Sequence, residues 1–226
     1  ASVWEYTGSA SGPNEFIVRG RFSKTLSGTT NTGTETVSGI VDIDKCVPFI
    51  TGIRNNSGSD DADSSSAVAW LSGSNTLNIE KGSNGNTVVI EITVVEFTGS
   101  NWTVLHGNLD NQSADTGSIT LYDGSDGTGT QSDVTSWANA VIVHQWRAQD
   151  NANGVDDAIG DLWPIQRPGS DTHTVDWEFR TDHVAANATE RHVTHVIDNA
   201  EWTVTRFQPT GDSEGENTFD ITSASL

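Results

Sequence analysis

The 226-residue chain contains a single cysteine, no methionine and three lysines. One cysteine rules out an intrachain disulfide. Cys46, flanked by Val47, Phe49 and Ile50, reads as a buried, inert thiol on a strand. Basic residues are scarce: 11 Lys and Arg stand against 31 Asp and Glu, a formal net charge of −20. That balance argues against nucleic acid as a partner, because phosphate binding needs clustered Lys and Arg. It argues equally against an anionic membrane surface, and leaves solubility as the plain use of the charge. No apolar run approaches the ~18 residues of a helical membrane span. No long segment carries apolar residues at helical spacing either.

What is abundant is Gly, Ser, Thr, Asn and Asp, with Val, Ile and Trp as the main large apolar residues. This is the composition of short strands joined by polar turns. Val88, Ile90, Ile92 and Val94 alternate with Glu91 and Thr93, as in a sheet with one buried face. Strands are expected at 37–43, 46–54, 66–71, 75–80, 87–97 and 101–106. A second series is expected at 133–136, 140–147, 160–166, 172–180, 189–197 and 201–207. Ser23 to Thr36 and Asn108 to Gln131 read as polar loops or short hairpins, with a further strand at Ile119 to Tyr122. The fold class expected is all-β: two tandem, diverged β-sandwich repeats of the jelly-roll or immunoglobulin-like kind, with extra terminal strands.

The repeat is read from ordered similarities. Asn101-Trp102-Thr103-Val104 returns as Glu201-Trp202-Thr203-Val204, an offset of 100. Phe49 to Arg54 aligns with Ile142 to Arg147 at an offset of 93, which also brings Trp70 onto Trp163. Ser74-Asn75-Thr76 meets Ser170-Asp171-Thr172 at an offset of 96. Val3 to Ser9 resembles Val94 to Ser100, and Glu15-Phe16-Ile17-Val18 then sits where Asn101 to Val104 sits. The organisation expected is therefore residues 1–24 as the end of a repeat, 25–118 as a first sandwich, 119–207 as a second, and 208–226 as the start of another. Such terminal strands have three uses: extra edges on their own fold, strand exchange with a neighbour, or continuation of a longer array. Trp70, Trp102, Trp163 and Trp202 recur in register and are expected in the core. An exposed, ligand-facing aromatic is expected among Trp4, Trp137, Trp146 and Trp177.

Candidate chemistry is sparse. Asp150, Asn153, Asp156 and Asp157 crowd oxygens around Gly154, which suits a hard cation such as calcium, although the bidentate Glu of an EF-hand loop is absent. Such loops are more often solvated turns, so no cofactor is expected, with calcium as the one candidate. His192 and His195 fall on opposite faces of a strand, so they do not form a zinc pair. No nucleophile-elbow motif is present, and no catalytic residue is assigned. Trp137 and Trp146 are the candidate platforms for a surface glycan.

The segment Val95-Glu96-Phe97-Thr98-Gly99-Ser100-Asn101-Trp102-Thr103-Val104-Leu105-His106-Gly107 resembles a repeat found in structural proteins of tailed bacteriophages. Val41 to Lys45, Val47 to Arg54 and Thr76 to Gly82 follow the same pattern. The second copy departs from it at His195 to Asp198 and at Arg206-Phe207. The resemblance implies a non-enzymatic virion component, a capsid decoration, tail or fibre protein, with virion or extracellular location. It also implies, as partners, other copies of the chain and other virion proteins. The alternative expectation is a carbohydrate-binding or adhesin module, calcium-dependent through the acidic loop.

Overall fold

The computed structural model describes residues 5–55, 66–82, 86–112, 114, 116–150, 164–179 and 188–204, with backbone alone at 148–150 and 188–189. Twelve strands follow one another: β1 Ile17–Leu26, β2 Thr32–Thr36, β3 Cys46–Asn55, β4 Ala67–Ser72, β5 Thr76–Lys81, β6 Val88–Glu96, β7 Trp102–Gln112, β8 Thr116–Thr120, β9 Ala140–Asp150, β10 Ile165–Pro168, β11 Thr174–Glu178 and β12 Ala188–Asn199. The only helical element among the described residues is a 3-10 turn at Ile43–Lys45. None of their helices is long and apolar enough to cross a membrane. The protein is all-β.

The strands form three sheets with the orders β1-β6-β3, β10-β11-β8 and β2-β5-β4-β9-β12-β7, all paired antiparallel. Raising each strand number by six turns β1-β6-β3 into β7-β12-β9 and β2-β5-β4 into β8-β11-β10. The six-stranded sheet thus runs through the molecule, carrying strands of the first half on one side and of the second half on the other.

Period-2 alternation decides what each face buries. Leu77 and Ile79 of β5, Ala69 and Leu71 of β4, and Ile90, Ile92 and Val94 of β6 fill one core between the first two groups of strands. On the other side, Trp146 of β9, Trp177 of β11 and Ile119 of β8 pack with Phe179. Leu105, Leu121, Val134, Val175 and Val196 continue that layer. A further cluster of Val47, Val95, Phe97, Trp102, Val104 and Ile197 ties the two halves together. Each fully buried side chain of this size contributes about 1.5–3 kcal/mol. Gly107 is required on β7, because a Cβ there would lie 2.3 Å from Ile119 Cγ2 of the facing β8.

A buried acid closes the long middle strand of each half. Glu96, at the end of β6, accepts hydrogen bonds from the backbone N–H groups of Val41 and Asp42 and from Arg19 Nε at 2.5 Å. Asp198, near the end of β12, accepts the Thr135 N–H at 2.7 Å. The next residues repeat the arrangement: Phe97 N–H donates to Lys45 O, and Asn199 N–H donates to Asn139 O.

Several expectations are corrected. Positions 37–43 form no strand. They make an irregular crossing with Gly39 at φ +75°, anchored by buried Val37. Positions 133–136 are likewise irregular. Conversely, polar 23–36 and 108–131 hold the end of β1, all of β2, the end of β7 and β8. β1 runs unbroken across position 24 and β8 across 118. β7, expected to close residues 25–118, pairs along its length with β12. Alternation reveals which face a strand buries and leaves its partner unspecified.

Candidate functional site

The strand pairs bring charge and polarity to one place, the joint between the halves of the central sheet. β4 meets β9 through a single register pair, Ala67 opposite Trp146. The ladder is too short to hold the joint, and side chains complete it. Gln145 Oε1 accepts the Ala69 N–H at 2.5 Å, while its Nε2 donates to Pro48 O at 2.5 Å. Beside it, Arg147 reaches Glu80 at 2.7 Å and Asp110 at 3.2 Å. Arg191 reaches Glu80 at 3.1 Å, also bonds Asp110, and lays its guanidinium 4.6 Å above the Trp70 ring. Burial would raise the Asp110 carboxyl, but the bond from Arg191 and the charge of both arginines hold it below its ordinary range. Charge-assisted bonds of this kind are the strong ones.

Strand β12 carries histidines on both faces. On one, His106 Nδ1 and His195 Nδ1 lie 2.8 Å apart. His106 Nε2 is 2.9 Å from Asp44 O, a pure acceptor, so that nitrogen carries the proton. His106 Nδ1 must then accept, and His195 Nδ1–H donates. On the other face, Thr194 Oγ1, His144, His192 and Glu190 form a chain with contacts of 2.7, 3.2 and 3.2 Å. With the Glu190 carboxylate as acceptor, every proton in this chain points the same way, from the threonine hydroxyl towards the glutamate. Trp177 stacks on the His192 ring at 4.2 Å. Burial depresses the pKa of His106, and that of His144 and His195 strongly. Thr194, His192 and Glu190 are fully buried, and His144 is half-buried.

An open groove of about 530 Å³ is lined by Asp42, Asp44, Trp102, Leu105, Asp123 and Asp133 among others. Its carboxylates are engaged within the fold. Asp42 accepts the Asp44 N–H, Asp44 the Ser125 N–H, Asp123 the Thr130 N–H and Asp133 the Thr172 hydroxyl. Among the described residues no group of three or more His, Cys, Asp or Glu side chains is arranged to hold a metal ion.

Of the residues singled out from the sequence, Asp150 ends β9, where its backbone pairs with Ala188. Asn153, Asp156 and Asp157 lie outside the described residues, as do Trp4 and Trp163. Trp146 is 3% exposed, inside the core cluster with Phe179 and Trp177, so it offers no face to a sugar. Trp177, 1% exposed, is equally inaccessible. Trp137 is half-buried against the Leu121 and Val134 cluster and donates its indole N–H to Asp171 O at 2.9 Å. Trp102 is in the core, and Trp202 and Trp70 are half-buried. The joint residues Gln145, Arg147, Arg191, Glu80 and Asp110 are absent from the sequence-derived candidates. The signal available was Gln145-Trp146-Arg147, two large polar side chains interrupting the apolar run from Ala140 to Val143.

No family model, no curated protein and no solved structure matches the chain.

Proposed function

We propose that this chain is a non-enzymatic structural protein of a phage particle, a capsid decoration, tail or fibre component, made of two tandem copies of one six-stranded sandwich unit. The observation that carries the reading is the recurrence of sheet order, β1-β6-β3 with β2-β5-β4 and then β7-β12-β9 with β8-β11-β10. Units that share a sheet and stack on one another build a rigid, extensible body, which is what a particle surface or shaft requires. The buried acids Glu96 and Asp198, each fastening the segment that leads into the next strand, support the duplication. So does the agreement between Phe49 to Arg54 in β3 and Ile142 to Arg147 in β9. The virion assignment rests on the resemblance of Val95 to Gly107 and its flanking segments to the repeat of tailed-phage structural proteins. The polar groups of β12 favour a framework role as well. Thr194, His192 and Glu190 lie in the interior and are linked through His144 by hydrogen bonds.

The test is co-purification. Particles isolated by density gradient from lysates of the source are probed with an antibody against the chain. Labelling that follows the particle band and marks regular positions on it in negative stain supports the proposal. Signal found only in the soluble fraction defeats it.

A further inference from the structure

We propose that copies of this chain join head to tail, the β10 edge of one meeting the Gly52–Asn55 end of β3 of the next, in a junction that repeats the internal β4–β9 joint. This rests on the structural reading above and names its partner and its surface.

The argument is one of register. Within the chain, β4 of the first half meets β9 of the second, next to Glu80 on β5, which binds Arg147 and Arg191. The counterpart of β4 in the second half is β10, and the counterpart of β9 in the first half is β3. Among the described residues both end their sheets. Burial along β5 and β11 matches position by position: Leu77 and Ile79 point inwards, as do Val175 and Trp177, and Glu80 and Glu178 follow on the outward side. Val68 lies opposite Glu80, and Ile165 lies opposite Glu178. On the other strand, Arg147 is opposite Arg191 of β12, and Arg54 is opposite Val89 of β6.

The chain therefore presents both halves of a second joint. At one end stand Glu178, its side chain 44% exposed and ion-paired with Arg167 of its own chain at 2.9 Å, and Ile165, 40% exposed, where the counterpart Val68 is fully buried. A second copy's Arg54 would share the Glu178 carboxylate with Arg167, as Arg147 and Arg191 share Glu80. At the other end stands Arg54, exposed and without an ion pair among the described residues. An acid and an arginine in the positions that are bonded at 2.7 Å inside the molecule are complementary across two molecules. What fits each end is what the same chain carries at its other end, so the occupant is a second copy. The contact is heterologous, and repetition gives a ring or a filament. Gly52 replaces Gln145 at the outer joint and supplies no side-chain clasp, so association is weaker than the internal joint and reversible.

Sedimentation velocity of the full chain at about 150 mM salt, where surface charges more than ~8 Å apart are screened, is run across a concentration series. Wild type is expected to grow in mass with concentration. Glu178→Arg and Arg54→Glu are each expected to weaken self-association at least tenfold. Mixing the two variants is expected to restore it, because the introduced acid of one then faces the introduced arginine of the other. Arg54 is exposed and Glu178 half-exposed beside Arg167, and circular dichroism checks that both variants fold. As an independent measurement, Arg54→Cys and Glu178→Cys proteins are mixed with a short bis-maleimide. A cross-linked pair containing one of each supports the joint, and its absence counts against it. Self-association indifferent to both reversals overturns this inference and leaves the structural reading standing. A monomer at every concentration also overturns it. If that monomer still bands with particles, the structural reading survives; if it does not, both fall.

Discussion

Glu96 is 1% exposed, and its two oxygens serve two backbone N–H groups and Arg19 at once. A carboxylate so placed is costly to bury and far more costly to break from its partners. Glu96→Gln keeps the shape, removes the charge opposite Arg19 and turns one acceptor into a donor facing the Val41 and Asp42 N–H groups. It is expected to lower stability by about 3 kcal/mol, read as a shift in the urea midpoint. Cys46 shows the same environment from the other side: burial first, then the nearby Glu96 charge, push its thiol up to about 12, so the native thiol stays protonated and unreactive. The histidines set the acid limit. His106, His144 and His195 have depressed pKa values, so the unfolded chain binds protons near pH 6.5 while the folded one does not. Stability is then full above pH 6.5 and falls as the pH drops below it, by about 1.4 kcal/mol per pH unit for each histidine. Facing these rings are the Asp44 carbonyl and the Asp126 charge at His106, the Thr194 hydroxyl and the His192 ring at His144, and the His106 ring at His195. Thermal melts between about pH 7.5 and 5, a range spanning the ordinary histidine pKa, are expected to show a steep loss. A His106→Asn/His195→Asn variant should show a shallower slope, and a slope equal to wild type would exclude this pair as a source.

At the scale of elements, the joint between β4 and β9 is held by side chains more than by ladder. Gln145→Leu leaves the Ala69 N–H and Pro48 C=O without their partner, and is expected to cost about 2 kcal/mol or more by denaturant unfolding. The same scale explains what could be read from the sequence. β5, β6 and β9 were legible because their apolar residues alternate or run together. β2, Thr-Gly-Thr-Glu-Thr, was not, because it is an edge strand with small polar residues on both faces and no hydrophobic period to detect. β8, Thr-Gly-Ser-Ile-Thr, hid for the same reason, apart from Ile119. Positions 37–43 misled in the opposite sense, since Val37, Val41 and Ile43 fall on alternate positions as in a strand, while in the structure Val37 is buried and Val41 is exposed on an irregular crossing. The joint itself was illegible because Glu80, Asp110, Arg147 and Arg191 lie far apart in sequence. Only the pairing of β9 and β12 with their neighbours draws them together.

For the whole molecule, the six-stranded sheet makes each half a support for the other. The cluster of Val47, Val95, Phe97, Trp102, Val104 and Ile197 contains residues from both, so neither half keeps its full core alone. Unfolding in urea is expected to be one cooperative transition, with tryptophan fluorescence and far-UV circular dichroism coinciding. A Glu80→Ala/Gln145→Leu variant strips the joint of its acid and its clasp, and is expected to separate the two signals. Coincident curves in that variant would show that the shared apolar cluster alone couples the halves. Length adds to the effect of sharing, since each further unit placed on such a stack would gain a neighbour without needing a new kind of contact.

The seam between the halves also has an optical side. Phe16, Phe97, Trp102 and Trp202 follow one another along it, with Phe97 and Trp102 at 5.0 Å and the indoles of Trp102 and Trp202 edge to face at 4.6 Å. Trp102 opens β7 and Trp202 follows β12, so their mutual orientation reports how the two strands are set at that end. Two indoles locked at a steep angle couple their excited states. The pair should therefore act as a native chromophore for the seam, its exciton band vanishing when that end opens, even where the sheets on either side keep their strands.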